Sequence, residues 1–302
     1  MPGQSAMTGP GTRLRAVWAG AEFSGLRAAV GRAVDATPLG RAREAGAPIG
    51  EGAVAVEGRL SVCPMSGAVF DGRARLSPGW REARPVDWLV RAFPSRQAIP
   101  EVCPLWFGAR ADTVAVLAEA LPRALALRRL APEAVALVSV ALGRLDRMQE
   151  ALGAGVFAPV PVKVQPWERL VLARRAVWLR PGAAGAGDLM EAGARLRAAF
   201  GAGGEGEPVA VVAGGATRAA RLGLAGGRVL DPESTPLGEL VRAVAAAPRL
   251  IVPDTGEAAL TLLRAGPQEL AEVPAGGRDG RGRAVAEALG RRVEPLRGVG
   301  RA

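Results

Sequence analysis

Between residues 208 and 273 the chain alternates short apolar runs with stretches of helical period, and no other feature narrows its fold as much. Residues 209–212 read Val-Ala-Val-Val. A strand without a polar position is tolerated when both of its faces are covered, as in a parallel sheet. Residues 228–230, 250–252 and 269–273 are read as three further strands. Between them, residues 235–247 put Leu237, Leu240, Val241 and Val244 on one helical face, with Ser234 as the capping residue and Pro248 as the stop. Residues 255–264 are read as the next helix and 284–289 as a last one. Strands alternating with helices through short Gly/Pro turns make βαβ units with right-handed crossovers. The expectation is an open, Rossmann-like α/β domain.

The first half is less regular. Residues 1–50, rich in Gly, Ala and Arg, are read as a loosely structured lead-in with a short helix over 26–34. Short strands are expected at 53–56, 59–63 and 68–70. A helix is expected over 111–130, where Val114, Leu117, Leu121 and Leu125 share a face and Pro122 imposes a kink or a break. A buried strand at 134–140, a helix at 142–152 and an extended piece at 160–164 continue the alternation. Residues 170–172 and 176–179 are strand-like, with Arg174 and Arg175 read as a turn between them, and 188–200 is a helix closed by Gly201. The division expected is a lead-in (1–50), an N-terminal α/β domain (51–165) and a C-terminal domain (166–302).

Composition removes whole mechanisms. The chain of 302 residues contains no histidine, so an imidazole base, a Ser-His-Asp arrangement and a His-ligated zinc are excluded. Cys63 and Cys103 show no metal or redox spacing and are read as buried thiols. The net charge of +10 points towards polyanions. Against that, Lys163 is the only lysine among 39 basic residues, and they are spread along the chain, so the excess is read as a solvated Arg-rich surface. An Arg-rich nucleic-acid binder, marked by steep salt dependence, is kept as a third reading, and no specific nucleic acid is expected. The first residues lack an apolar signal core and no run is long enough for a membrane span, so a cytoplasmic location is expected.

Ligands of open parallel sheets sit beyond the carboxyl ends of the strands. Three loops fall there. Residues 213–218 (Ala-Gly-Gly-Ala-Thr-Arg) let the backbone at Gly214 and Gly215 approach an anion, with Arg218 as a phosphate partner, or form a plain tight turn. Residues 231–235 (Asp-Pro-Glu-Ser-Thr) offer Asp231 or Glu233 to a ribose, although acidic residues before a helix are stabilising in themselves. In residues 253–256 (Pro-Asp-Thr-Gly), Asp254 and Thr255 serve either an anion site or a helix cap.

Taken as one stretch, residues 231–273 resemble the C-terminal signature of glycosyltransferase family 61: D-P-E-x-L, a helix, a strand ending in V-x-P, then H-G-A-G-L-T-N-L-L and a strand near V-x-E-L. Upstream, residues 112–123 (DTVAVLAEALPR) are similar to the family's N-Y-x-H-W-L-L-E-x-L-P-R, with Glu119, Leu121, Pro122 and Arg123 matching. The departures are specific. Ala115 and Thr255 stand where the family has histidines, Thr261 where it has Asn, and the S-R-R-like segment is reduced to Gly215, Ala216, Thr217 and Arg218.

The resemblance implies two Rossmann-like domains of GT-B type with mainly parallel sheets. It implies a nucleotide-sugar donor held mainly by the C-terminal domain, through Gly214, Gly215, Arg218, Asp231, Glu233, Thr255, Gly256 and Thr261, and a glycan acceptor in the cleft. The nucleotide-sugar enters as a substrate; no separate cofactor or metal is implied. With histidine absent, Glu119 or Asp254 is left as the base. The alternative is a family-like protein without catalysis, a partner in polysaccharide assembly, in which Glu119 and Arg123 pair one helical turn apart.

Overall fold

The computed structural model describes residues 43–50, 52–63, 67–72, 74–78, 95–105, 112–139, 146–165, 169–180, 183–224, 228–253, 257–272 and 281–295. The helix read over 26–34 lies outside them. Within the stretch read as a lead-in, β1 (Arg43–Glu44) and β2 (Ala47–Gly50) are strands.

The first sheet continues with β3 (Ala53–Val62), β4 (Val69–Asp71), β5 (Ala74–Ser77), β6 (Ser95–Ala98), β7 (Glu101–Pro104), β8 (Val135–Ser139), β9 (Val162–Gln165) and β10 (Arg169–Leu179). Its order is β1-β5-β4-β3-β10-β7-β8-β9, with β2 added to β3 and β6 to β10. One side, β2 to β5, is an antiparallel meander; on the other side β10, β7, β8 and β9 run parallel. The expectation of mainly parallel sheets therefore fits only part of this one. β10, beyond the expected boundary at 166, joins the two sides: antiparallel to β3, parallel to β6 and β7.

β3 and β10 were each expected to break, and neither does. Gly58, at φ 151°, carries β3 through the expected gap. In β10, Arg174 and Arg175 both donate their amides to the Pro100 carbonyl, at 2.9 and 3.1 Å, and the register with β3 shifts there. Val171 and Ala173 before the irregularity, and Ala176 and Trp178 after it, all pack into the same core. The Arg pair marks a bulge, where alternation changes phase without the chain reversing.

The helix expected over 111–130 is present as α1. A π-helical run, Ala115–Ala120, passes straight into α-helical Leu121–Leu130. Pro122 thus falls in the first turn of the α-helical part, and the wider π turns lead into it without a break. Then come α2 (Asp146–Gly153), where the expected start at 142–145 lies outside the described residues, and α3 (Ala186–Phe200), closed by Gly201 at φ 60°.

The second sheet holds β11 (Val209–Val211), β12 (Arg228–Leu230), β13 (Arg249–Val252), β14 (Glu269–Glu272) and β15 (Val293–Pro295), all parallel in the order β12-β11-β13-β14-β15. Its connections are α4 (Gly215–Arg221), α5 (Leu237–Ala246), a 3₁₀ helix (Glu257–Leu263) and α6 (Arg281–Ala288). Sequence order 2-1-3-4-5 is a doubly wound arrangement with its switch point between the first and third strands, here β11 and β13.

One face of this sheet, with Val209, Val211, Leu250, Val252 and Leu270, joins α5 and the 3₁₀ helix in a core continuous with that around Leu117, Leu121 and Leu125 of α1. Ala210 and Val212 point the other way and meet Ala219 of α4. The wholly apolar runs are explained by cover on both faces. The two halves share one core, with α3 packed on α1, α5 and the 3₁₀ helix. No helix among the described residues is long and apolar enough to cross a membrane.

Candidate functional site

At the carboxyl end of β11 the backbone turns sharply. Gly214 and Gly215 both have positive φ, 90° and 63°, and Gly215 donates its amide to the Val212 carbonyl at 2.8 Å. Any other L-residue is strained at these angles, so the Gly-Gly pair is required by conformation. Space is not the limit: a Cβ on Gly215 would lie 3.6 Å from Asp231 Cβ and 3.8 Å from its Oδ2, in ordinary contact. Arg218, exposed on α4, reaches back to the Ala213 carbonyl at 3.2 Å. The loops after β11 and β12 therefore meet, bringing Gly214, Gly215, Arg218 and Asp231 together beside the switch point.

Asp231 ends β12 and organises its own turn: Oδ1 accepts the Glu233 amide at 3.0 Å and its carbonyl accepts the Thr235 amide at 2.9 Å. This is an Asx-type turn, in which a short carboxylate replaces a backbone acceptor. Glu233 points elsewhere. Its Oε1 accepts the Thr113 amide at 2.9 Å, at the opening turn of α1, and the Thr113 hydroxyl donates to the Pro232 carbonyl at 2.7 Å. On α2, Arg147, only 6% exposed, donates Nε to the Pro232 carbonyl (3.3 Å) and Nη2 to the Glu233 carbonyl (3.1 Å).

Arg147 also pairs with Glu150, whose Oε2 accepts the Leu237 amide at 2.6 Å. Ser234 was expected to cap α5; the position before the helix is instead Pro236, and the cap comes from Glu150 in the other half of the chain. Pro236 moves the start of the helix past Ser234, leaving Leu237 as the first amide to be satisfied. Loops from both sheets are thus joined by Thr113, Arg147, Glu150 and Glu233. Such bonds contribute about 0.5–1.5 kcal/mol each, and more where a charge takes part.

The other sequence candidates lie apart from this junction. Glu119 is the one half-buried residue of a π-helical run otherwise buried. Arg123, four residues on, donates Nη2 to the Leu179 carbonyl at 2.7 Å and the Arg180 carbonyl at 3.3 Å, tying α1 to the end of β10. Thr261 is buried, with its hydroxyl 2.9 Å from Gln268 Oε1, and Gln268 Nε2 donates to the Val244 and Ala247 carbonyls. That closed network lies in the core of the second half. Asp254, Thr255 and Gly256 fall outside the described residues.

Asp112 caps α1, its Oδ1 accepting the Ala115 amide at 2.8 Å, so the helix opens with one carboxylate from its own turn and another, Glu233, from the second sheet. Both thiols are buried, and burial pushes that of Cys103 up from 9.0 to about 12 against the opposing pull of Arg123. Among the described residues no three Cys or acidic groups converge as a metal site would require.

Sequence reasoning missed Thr113, Arg147 and Glu150. The Arg147–Glu150 spacing of three is legible as a helical pair. Nothing local marks their partners, which lie more than 80 positions away. No protein-family model matches the chain, and no curated protein matches it either.

Proposed function

We propose that the chain is a glycosyltransferase of the family 61 type, moving a sugar from a nucleotide-sugar donor to a glycan or polysaccharide acceptor. The observation that carries this reading is the grouping of Gly214, Gly215, Arg218 and Asp231 beside the β11/β13 switch point, where doubly wound sheets take their ligands. A GT-B arrangement is supported by the meeting of carboxyl-end loops from two sheets at Thr113 and Glu233. The donor diphosphate would lie against the Gly214–Gly215 backbone and Arg218, and the family resemblance adds Thr255 and Gly256 to the residues that hold it.

In this scheme the Glu119 carboxylate takes the proton of an acceptor hydroxyl as that oxygen bonds to the anomeric carbon. The bond to the nucleoside diphosphate breaks, and the diphosphate leaves with its electron pair stabilised by Arg218. Asp254 is the second candidate for the base. The setting proposed is cytoplasmic assembly of a surface polysaccharide.

The test is transfer from sugar conjugates of nucleoside diphosphates, scored as release of the diphosphate. Glu119→Gln should remove about two to four orders of magnitude of the rate while leaving the melting temperature in place. A rate unchanged in that variant would remove Glu119 from the mechanism.

A second reading keeps the fold without catalysis, as a partner in a polysaccharide-assembly complex. It is favoured by Ala115 in the place of a family histidine, and by the internal engagement of Glu233 with Thr113 and of Thr261 with Gln268. Donor binding without any release of diphosphate is its expected signature.

A further inference from the structure

Two carboxylates follow β12, and the structure separates their tasks. Glu233 is committed to the Thr113 amide, across the junction between the two halves. Asp231 uses only Oδ1, on the Glu233 amide, while Oδ2 accepts no hydrogen bond from the described residues and lies beside Gly215. We infer that Asp231 is the residue that reads the ribose of a bound nucleotide, Oδ2 accepting a hydrogen bond from its 2′ or 3′ hydroxyl. The inference rests on the nucleotide-sugar reading above and adds to it which sugar of the donor is read, and by what.

Two features support it. Asp231 stands at the carboxyl end of the strand next to β11, across from the glycine turn that follows β11. An acidic side chain there is the position from which doubly wound sheets reach a ribose hydroxyl when the phosphates occupy the first turn. The carboxylate is also held before any ligand arrives. Its own turn fixes Oδ1, and Arg147 and Thr113 hold the carbonyls of Pro232 and Glu233 from the other half.

A carboxylate with one oxygen anchored and the other open selects for a hydroxyl donor, since only a donor offsets what the charge loses on leaving water. A nucleotide lacking that hydroxyl would bind with Oδ2 facing carbon.

The experiment is calorimetric titration of the intact chain with ribonucleoside diphosphates and with their 2′-deoxy and 3′-deoxy counterparts, for wild type and Asp231→Asn. The Asn carbonyl can still accept the Glu233 amide, so the turn is kept, and an unchanged melting temperature checks this. Wild type should prefer the ribonucleotide by about tenfold to a hundredfold over at least one deoxy form, the scale of one hydrogen bond to a charged group. Asp231→Asn should lose most of that preference. Equal affinity of wild type for ribo and both deoxy forms, or a preference untouched in Asp231→Asn, overturns the ribose role and leaves nucleotide binding standing. No binding of any nucleotide overturns both.

Discussion

Gly193→Ala opposes two forces whose sizes can be set against each other. Gly193 lies within α3, and a Cβ there would fall 2.0 Å from the Leu262 carbonyl oxygen and 3.0 Å from its carbon. Relief requires the 3₁₀ helix and α3 to separate by roughly 1.5 Å, since non-bonded contacts are favourable only beyond about 3.5 Å. The same carbonyl accepts Arg197 Nη1 at 3.3 Å, as that of Leu263 does at 3.1 Å, so the separation would lengthen this pairing as well.

Overpacking costs about 1–3 kcal/mol and the weakened charged hydrogen bond about 1.5 kcal/mol, while Ala in place of Gly returns about 1 kcal/mol of helix propensity. The net expectation is a loss of about 1.5–3.5 kcal/mol. Urea unfolding followed by circular dichroism should show a lower midpoint at an unchanged slope. At roughly 2–4 °C per kcal/mol, the melting temperature should fall by about 3–14 °C. A variant as stable as wild type, or more stable, would mean that propensity is the only force at this position and that α3 does not sit on the Leu262 carbonyl.

Other expectations follow from the junction and the core. Glu150→Ala removes the cap on Leu237 and the partner of the buried Arg147, and should cost about 2–4 kcal/mol in chemical unfolding; combined with Arg147→Met, part of that loss should be recovered, as a double-mutant cycle reads directly. Thr261→Val should cost about 1–3 kcal/mol by orphaning a polar atom of the buried Gln268, which an unfolding midpoint registers. For Cys103, the folded pKa lies above the unfolded one, so the unfolded chain ionises first; its contribution is intact below pH 9.0 and is lost as pH rises towards about 12, and Cys103→Ala should flatten that part of the stability profile.

How much of this could be read from sequence depended on the range of the interactions. α3 was legible because its signals are local: an apolar face with Leu189 and Leu196, and Gly201 to end it. The strands of the second sheet were legible because cover on both faces leaves unbroken apolar runs, as at Val209–Val211. β15 was not, since Arg291, Arg292 and Glu294 surround a single Val293 and its place comes from pairing with β14. The two expected breaks, at Gly58 and at Arg174–Arg175, were irregularities within strands, because a change of phase and a turn interrupt alternation in the same way.

At the candidate site, the Gly214–Gly215 turn and the Asp231 turn were visible in the residue types that such conformations demand. The different tasks of Asp231 and Glu233 were not, because they depend on Thr113 and Arg147, brought in by tertiary packing.

The central claim is that a nucleotide diphosphate binds at the Gly214–Gly215 turn with Arg218. It is tested most directly by calorimetry and thermal shift of the purified chain against nucleoside diphosphates and their sugar conjugates, with Arg218→Ala as the paired variant. The account predicts saturable binding and a raised melting temperature for wild type, with both lost in the variant while its unliganded melting temperature is unchanged. A well-folded wild-type chain that binds none of them at millimolar concentration would contradict it.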